Sequence, residues 1–201
     1  MAQELQDDLK KHGCITTYNH PVWSRVREDE FIDIEGCTAL EIFNYGTVNE
    51  SATGVDSLHW DVMLRKGKKI FAVASDDNHN DGIVEDSFGG YIVVKAEKLN
   101  HESIVQAIVD GNYYSSSGPE IFDWGIRDNV AYVQCSSVNR VNFIAGNYIN
   151  AGGCVVSRSG KDDITEARFA LRGNEDYIRV ECTDRHGNTA WTNPIFLKGL
   201  R

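Results

Sequence analysis

Basic side chains are in short supply: 20 Lys and Arg stand against 30 Asp and Glu in 201 residues, a formal net charge of −10. A nucleic-acid binder needs a basic stripe to neutralise phosphates, and an anionic membrane surface needs the same attraction, so neither partner is expected. The acidic balance reads as a solubility feature. Long apolar runs are missing too, which leaves no candidate transmembrane helix. Met1 to Lys11 is polar and mixed in charge, unlike a secretion signal. The cysteines are odd in number and far apart (Cys14, Cys37, Cys135, Cys154, Cys182), and no pair has CxxC spacing. This argues against a zinc ribbon, a redox motif and a disulfide framework; it predicts small buried thiols in a reduced, cytoplasmic protein.

What is present falls into two rhythms. Up to residue 117, short β-branched or aromatic runs (Ile15 to Tyr18, Ala39 to Phe43, Ile70 to Ala74, Tyr91 to Val94) alternate with helical spacing. Val55, Leu58, Val62 and Met63 predict one helix face, stopped by Gly67. Ile104, Val105, Ile108 and Val109 predict another, capped at Asn100 and closed by Gly111. Strand–helix alternation implies crossover connections and a parallel sheet of four strands. From Gly118 to residue 201 the helical period disappears. Val130 to Cys135, Val141 to Ala145, Ala167 to Leu171 and Tyr177 to Cys182 read as strands between glycine-containing turns, the pattern of an antiparallel β-sandwich. The expected fold class is therefore α/β plus all-β, with domains 1–117 and 118–201.

Parallel sheets gather functional groups beyond the carboxyl ends of their strands. Asn19-His20-Pro21 follows the first strand. Glu41 lies inside the second, with Asn44 at its end, and Ser75-Asp76-Asp77-Asn78-His79 follows the third. Imidazoles with carboxylates are the donor set that borderline divalent metals prefer. In Asp77-x-His79, residues i and i+2 at a loosening strand end can point into one pocket. The plainer alternative is that Asp76 and Asp77 cap the next helix while His79 lies on the surface. Glu41, Asn44 and Asp76 are candidates for supporting or substrate-contacting roles; Glu41 and Asn44 are equally candidates for hydrogen-bonded core polar groups. Arg25 is a candidate phosphate fork or surface ion-pair partner. His59 reads as a packing residue, Ser115 to Ser117 as turn donors without a Ser-His-acid partner set, His186 as a solvent-facing turn residue, and Trp191 as a plug of the sandwich core, with carbohydrate stacking the minor option.

The ordered segments NHPVW, ALEIFN, HWDVMLRKG, VASDDNH, GGYIVVKAEKL and GNYYSSSGPEI resemble the PHP (polymerase and histidinol phosphatase) superfamily, closest to its CehA/McbA-like branch. YIRVECTDRHGNTAWTNPIFL is similar to that branch's C-terminal β module, so the resemblance covers nearly the whole chain. It implies a (β/α)7 barrel, here partial. It also implies a cluster of Zn, Mn or Fe ions and hydrolysis of a small phosphoester by metal-activated water. On this mapping His20 is the histidine before proline, and Asp77 and His79 are the late DxH ligands. The family's opening HxH strand has no counterpart, and only about four of its seven strands are represented. The expectation is thus an incomplete metal site with partial or weak occupancy. A homo-oligomer, or a partner carrying the missing strands, would then cover the open sheet edge. Two other function classes stand beside this one: a non-catalytic PHP remnant acting as an interaction or assembly module, and a sugar-binding β-sandwich protein.

Overall fold

A computed structural model describes residues 2–79, 82–146 and 151–197, and the chain forms two compact units, Met1–Tyr113 and Tyr114–Arg201. The first opens with helix α1 (Ala2–Lys11), followed by strand β1 (Thr17–Tyr18), the single turn α2 (Glu28–Phe31) and strand β2 (Ala39–Asn44). Helices α3 (Tyr45–Ser51) and α4 (Ser57–Arg65) lead to β3 (Phe71–Ser75), β4 (Tyr91–Val94) and α5 (His101–Val109). Strands β1, β2 and β3 form a parallel sheet in that order. The central strand β2, ALEIFN, is buried at all six positions. A strand covered on both faces has to be apolar nearly throughout, so its two polar residues, Glu41 and Asn44, need internal partners.

The expected fourth parallel strand is not part of this sheet. Between β3 and β4 the described residues contain no helix, and a parallel neighbour requires a crossover, usually a helical one. Strand β4 instead alternates exposed and half-buried positions. The segment before it is pinned by Asp76, whose carboxylate accepts the backbone N–H groups of Phe88, Gly89 and Gly90 at 2.7, 2.8 and 2.8 Å. Gly90 has no substitute here, because a Cβ would lie 2.3 Å from the Ser75 carbonyl oxygen.

Both helices expected from apolar spacing form. Asn100 caps α5 by accepting from Ser103 N–H, and Gly111 takes a left-handed φ of 73° after it. The face of α4 differs from expectation. Val55 and Leu58 are exposed, whereas Trp60, Met63 and Leu64 are buried at i, i+3 and i+4. The indole is the largest apolar group in this segment, and turning it inward also gives its Nε1 a partner, the Ile70 carbonyl at 3.1 Å.

Asp56 caps α4, accepting both from His59 N–H and, at 2.7 Å, from His59 Nδ1, while the His59 ring meets Phe31 edge-on. Burial raises the Asp56 carboxyl above its ordinary range, an effect larger than the opposing pull of His59 and its hydrogen bonds. A raised folded-state value means that stability from this group is full below the ordinary carboxylate pKa and declines as pH rises through the folded value. Asp56→Asn keeps an acceptor for the cap and removes the charge. Urea unfolding should therefore show the variant more stable, relative to wild type, at about pH 7 than at about pH 3. An unchanged difference between the two would contradict this.

Strand β5 (Tyr113–Ser116) begins at the last residue of the first unit, and the second continues with β6 (Ile121–Arg127), β7 (Val130–Val138), β8 (Arg140–Ala145), β9 (Gly152–Val156), β10 (Ile164–Ala170), β11 (Tyr177–Thr183), β12 (Thr189–Thr192) and β13 (Ile195–Phe196). One antiparallel sheet runs β10-β7-β6; the other runs β5-β12-β11-β8-β9, with β13 on β11. Alternate residues of both sheets, among them Val133, Val141, Phe143, Ile178 and Val180, meet in one apolar core. The fold is thus mixed α/β with antiparallel sheets, the second unit having the two layers expected for a sandwich. Trp191 is buried, but strand alternation gives the place in this core to its neighbour Ala190. The expectation of uniformly buried thiols is corrected as well. Cys135 and Cys182 are buried on facing sheets, Cys37 is half-buried, and Cys14 and Cys154 are exposed. Sequence spacing carries no information on which face a cysteine takes.

Candidate functional site

The three ends of the parallel sheet are tied together by Glu41. Its carboxylate accepts from His20 N–H at 2.8 Å, from Asn44 Nδ2 at 3.1 Å and from Ser75 Oγ at 2.5 Å, drawing one donor from each strand end. Asn44 is fully engaged. One amide hydrogen goes to Glu41, the other to Asp77 Oδ2 at 2.9 Å, and its oxygen caps α3 by accepting from Thr47 N–H. Glu41 and Asn44 are 2 % and 1 % exposed. They therefore act as a hydrogen-bonding hub beneath the strand ends.

This hub fixes His20 and Asp77, and both have left-handed backbones, with φ of 37° and 52°. Non-glycine residues in that region carry conformational strain that surrounding contacts must offset. His20 does so through its N–H on Glu41, and Asp77 through Asn44. The His20 ring packs edge-on to Trp23 at 5.2 Å and its Nδ1 lies 2.9 Å from Ser24 Oγ, so Nε2 is the nitrogen that could meet a ligand. Trp23 in turn donates from Nε1 to Glu50 Oε2.

His20, Asp77 and His79 line one cavity of about 460 Å³, together with Trp23, Ile83 and Asp86. Asp86, 6 % exposed, orders the far wall: it accepts from His79 N–H at 2.7 Å and from Asn78 Nδ2 at 2.8 Å, and its Oδ2 lies 3.7 Å from His79 Nδ1. Among the described residues no Lys or Arg lines the cavity, whereas Glu50, Asp77 and Asp86 do. A bare phosphate would meet these carboxylates without a counter-charge; a cation would be attracted.

The donors suit a borderline divalent ion in kind but not in number. Among the described residues no group of three or more His, Cys, Asp or Glu side chains could hold one metal ion. A catalytic zinc takes about three protein ligands and a structural one four. The described side chains therefore do not make a complete shell.

The remaining candidates fall outside the cavity wall. Asp76 holds the loop before β4, as described above. Arg25, with a φ of 51°, is exposed. His186 is exposed in the β11–β12 turn, and Ser115 and Ser116 are buried in β5. Sequence reasoning did not single out Trp23 or Asp86 as parts of the site. Trp23 follows His20 closely enough for the NHPVW run to suggest it. Asp86 is brought to His79 only by the fold of the intervening loop, and no spacing rule announces such a contact. No family model matches this chain, and neither does any curated protein or solved structure.

Proposed function

We propose that this chain carries one part of a PHP-type metal-dependent phosphoesterase centre on a partial α/β barrel. His20, Asp77 and His79 are its metal-facing residues, and the ligands that complete the shell come from outside the described residues. The carrying observation is that these three residues, drawn from the ends of β1 and β3, face one cavity with no Lys or Arg among the described residues that line it, and His20 and Asp77 are held there by the Glu41–Asn44 hub. A cavity so lined favours a divalent cation; the two imidazoles suit Zn or Fe, and the carboxylates also accommodate Mn. The phosphoester would bind through that ion rather than through an arginine clamp.

The reading gives the isolated chain weak metal binding and no turnover. The sheet ends at the two-residue edge strand β1, and an edge strand is where a second chain can pair. Elemental analysis of untagged protein, purified without chelator, should find zinc, manganese or iron below one equivalent, and His79→Ala should reduce it about tenfold or more. p-Nitrophenyl phosphate should remain unhydrolysed, and light scattering should give a mass above the 22.5 kDa of one chain. Unaided turnover by the wild-type chain would show a complete site and refute the partial one. Metal content that is nil, or unaltered by His79→Ala, would favour a non-catalytic interaction module. A clean monomer would refute completion by a second copy.

A further inference from the structure

The outer face of the β6–β7–β10 sheet carries a second, separate hollow. Residues directly opposite each other on antiparallel strands share a face, so the register defines three outward rows: Glu166–Gln134–Asp123, Arg168–Tyr132–Gly125 and Ala170–Val130–Arg127. Tyr132 stands at the centre. Its ring lies against Gly125, where a Cβ would come within 3.3 Å of the phenol oxygen, so the absent side chain makes room for the ring. Its hydroxyl donates to Asp123 Oδ2 at 3.2 Å, and the Arg127 guanidinium carbon lies 5.2 Å from the ring centroid. At one end the β6–β7 turn places Asp128 and Asn129, with φ of 49° and 61°, the left-handed pair of a tight hairpin.

From this arrangement we propose that the Tyr132 hollow binds a single neutral saccharide ring. Its volume is about 190 Å³, and its walls are Asp123, Arg127, Asp128, Gln134 and Arg168 around Tyr132 and Val130. Each polar wall residue except the tyrosine ends in a planar group with two hydrogen-bonding atoms side by side, the match for a pair of adjacent hydroxyls. With the Arg127 guanidinium over its ring and Gly125 against it, Tyr132 offers its ring edge and polar tip to the saccharide. The two arginines and two aspartates balance, which disfavours an anion or a cation as the ligand. The size, below the range of drug-sized pockets, limits the ligand to one ring. This site does not depend on the metal reading, since it shares no residue with the cavity at the parallel strand ends.

The test is saturation-transfer NMR on the full chain with three probes: methyl α-D-mannopyranoside, methyl β-D-glucopyranoside and methyl β-D-galactopyranoside. At least one should show transfer, and Tyr132→Ala should abolish it. The exposed substitution Arg168→Ala, which leaves the core untouched, should weaken binding about tenfold or more, and inorganic phosphate should not displace the glycoside. Absence of transfer from all three probes, unchanged binding in folded Arg168→Ala, or displacement by phosphate would each overturn the proposal.

Discussion

Glu41→Ala should destabilise the first unit by about 4 kcal/mol, among the largest effects of any single substitution here. The substitution deletes one acceptor group but leaves three donors, His20 N–H, Asn44 Nδ2 and Ser75 Oγ, without it. A buried donor so abandoned, as Asn44 Nδ2 would be, costs about 1–3 kcal/mol, and the half-buried His20 N–H and Ser75 Oγ add smaller losses. His20 would lose the bond that offsets its left-handed backbone, and Asn44 would be released from the geometry that holds Asp77. Glu41→Gln separates the hydrogen-bonding role from simple volume. Its oxygen can keep the two amide donors while its NH₂ faces Ser75, whose hydroxyl can turn to accept, so the expected loss is about 1 kcal/mol. Chemical denaturation of both variants, followed by tryptophan fluorescence, measures the difference. Equal losses for Ala and Gln would show that Glu41 acts as filler rather than as a hub.

Trp60→Ala should cost about 4 kcal/mol for a different reason. The indole is fully buried between α4 and the parallel sheet, and its Nε1 serves the Ile70 carbonyl just ahead of β3. Truncation would leave a large void and an unpaired carbonyl. Trp60→Phe refills most of the volume without the donor and should lose roughly half as much. Leu58→Ala, on the exposed side of the same helix, should fall within about 0.5 kcal/mol of wild type. The reverse ranking, with Leu58 more costly than Trp60, would restore the helix face expected from apolar spacing alone.

The contrast between those two residues shows what the sequence could and could not convey. Strand β2 was legible because burial on both faces leaves a continuous apolar run, and its two polar interruptions turn out to be the hub of the site. The α5 cap at Asn100 was legible because capping is a local interaction, confined to a few residues. Two apolar stripes compete on α4, and the choice between Leu58 and Trp60 depends on where the Ile70 carbonyl sits, a non-local fact. Strand β4 has the β-branched composition of a parallel strand, but the described residues before it form no helix and the Asp76 clamp sets its approach. In the candidate site, the positions of His20, Asp77 and His79 were readable from strand ends. Asp86 was not, because a loop contact has no sequence period. The left-handed backbones at His20 and Asp77 were equally hidden, since histidine and aspartate do not advertise a positive φ as glycine does.

The central claim is that His20, Asp77 and His79 face a common cation-binding cavity, and paramagnetic Mn²⁺ tests it most directly. Titrated into ¹⁵N-labelled chain, the ion should broaden the amide signals of these three residues first, ahead of the exposed acidic surface, and the effect should disappear in His79→Ala. Broadening that begins instead at surface carboxylates such as Asp29 or Asp162, and is indifferent to His79, would contradict the claim.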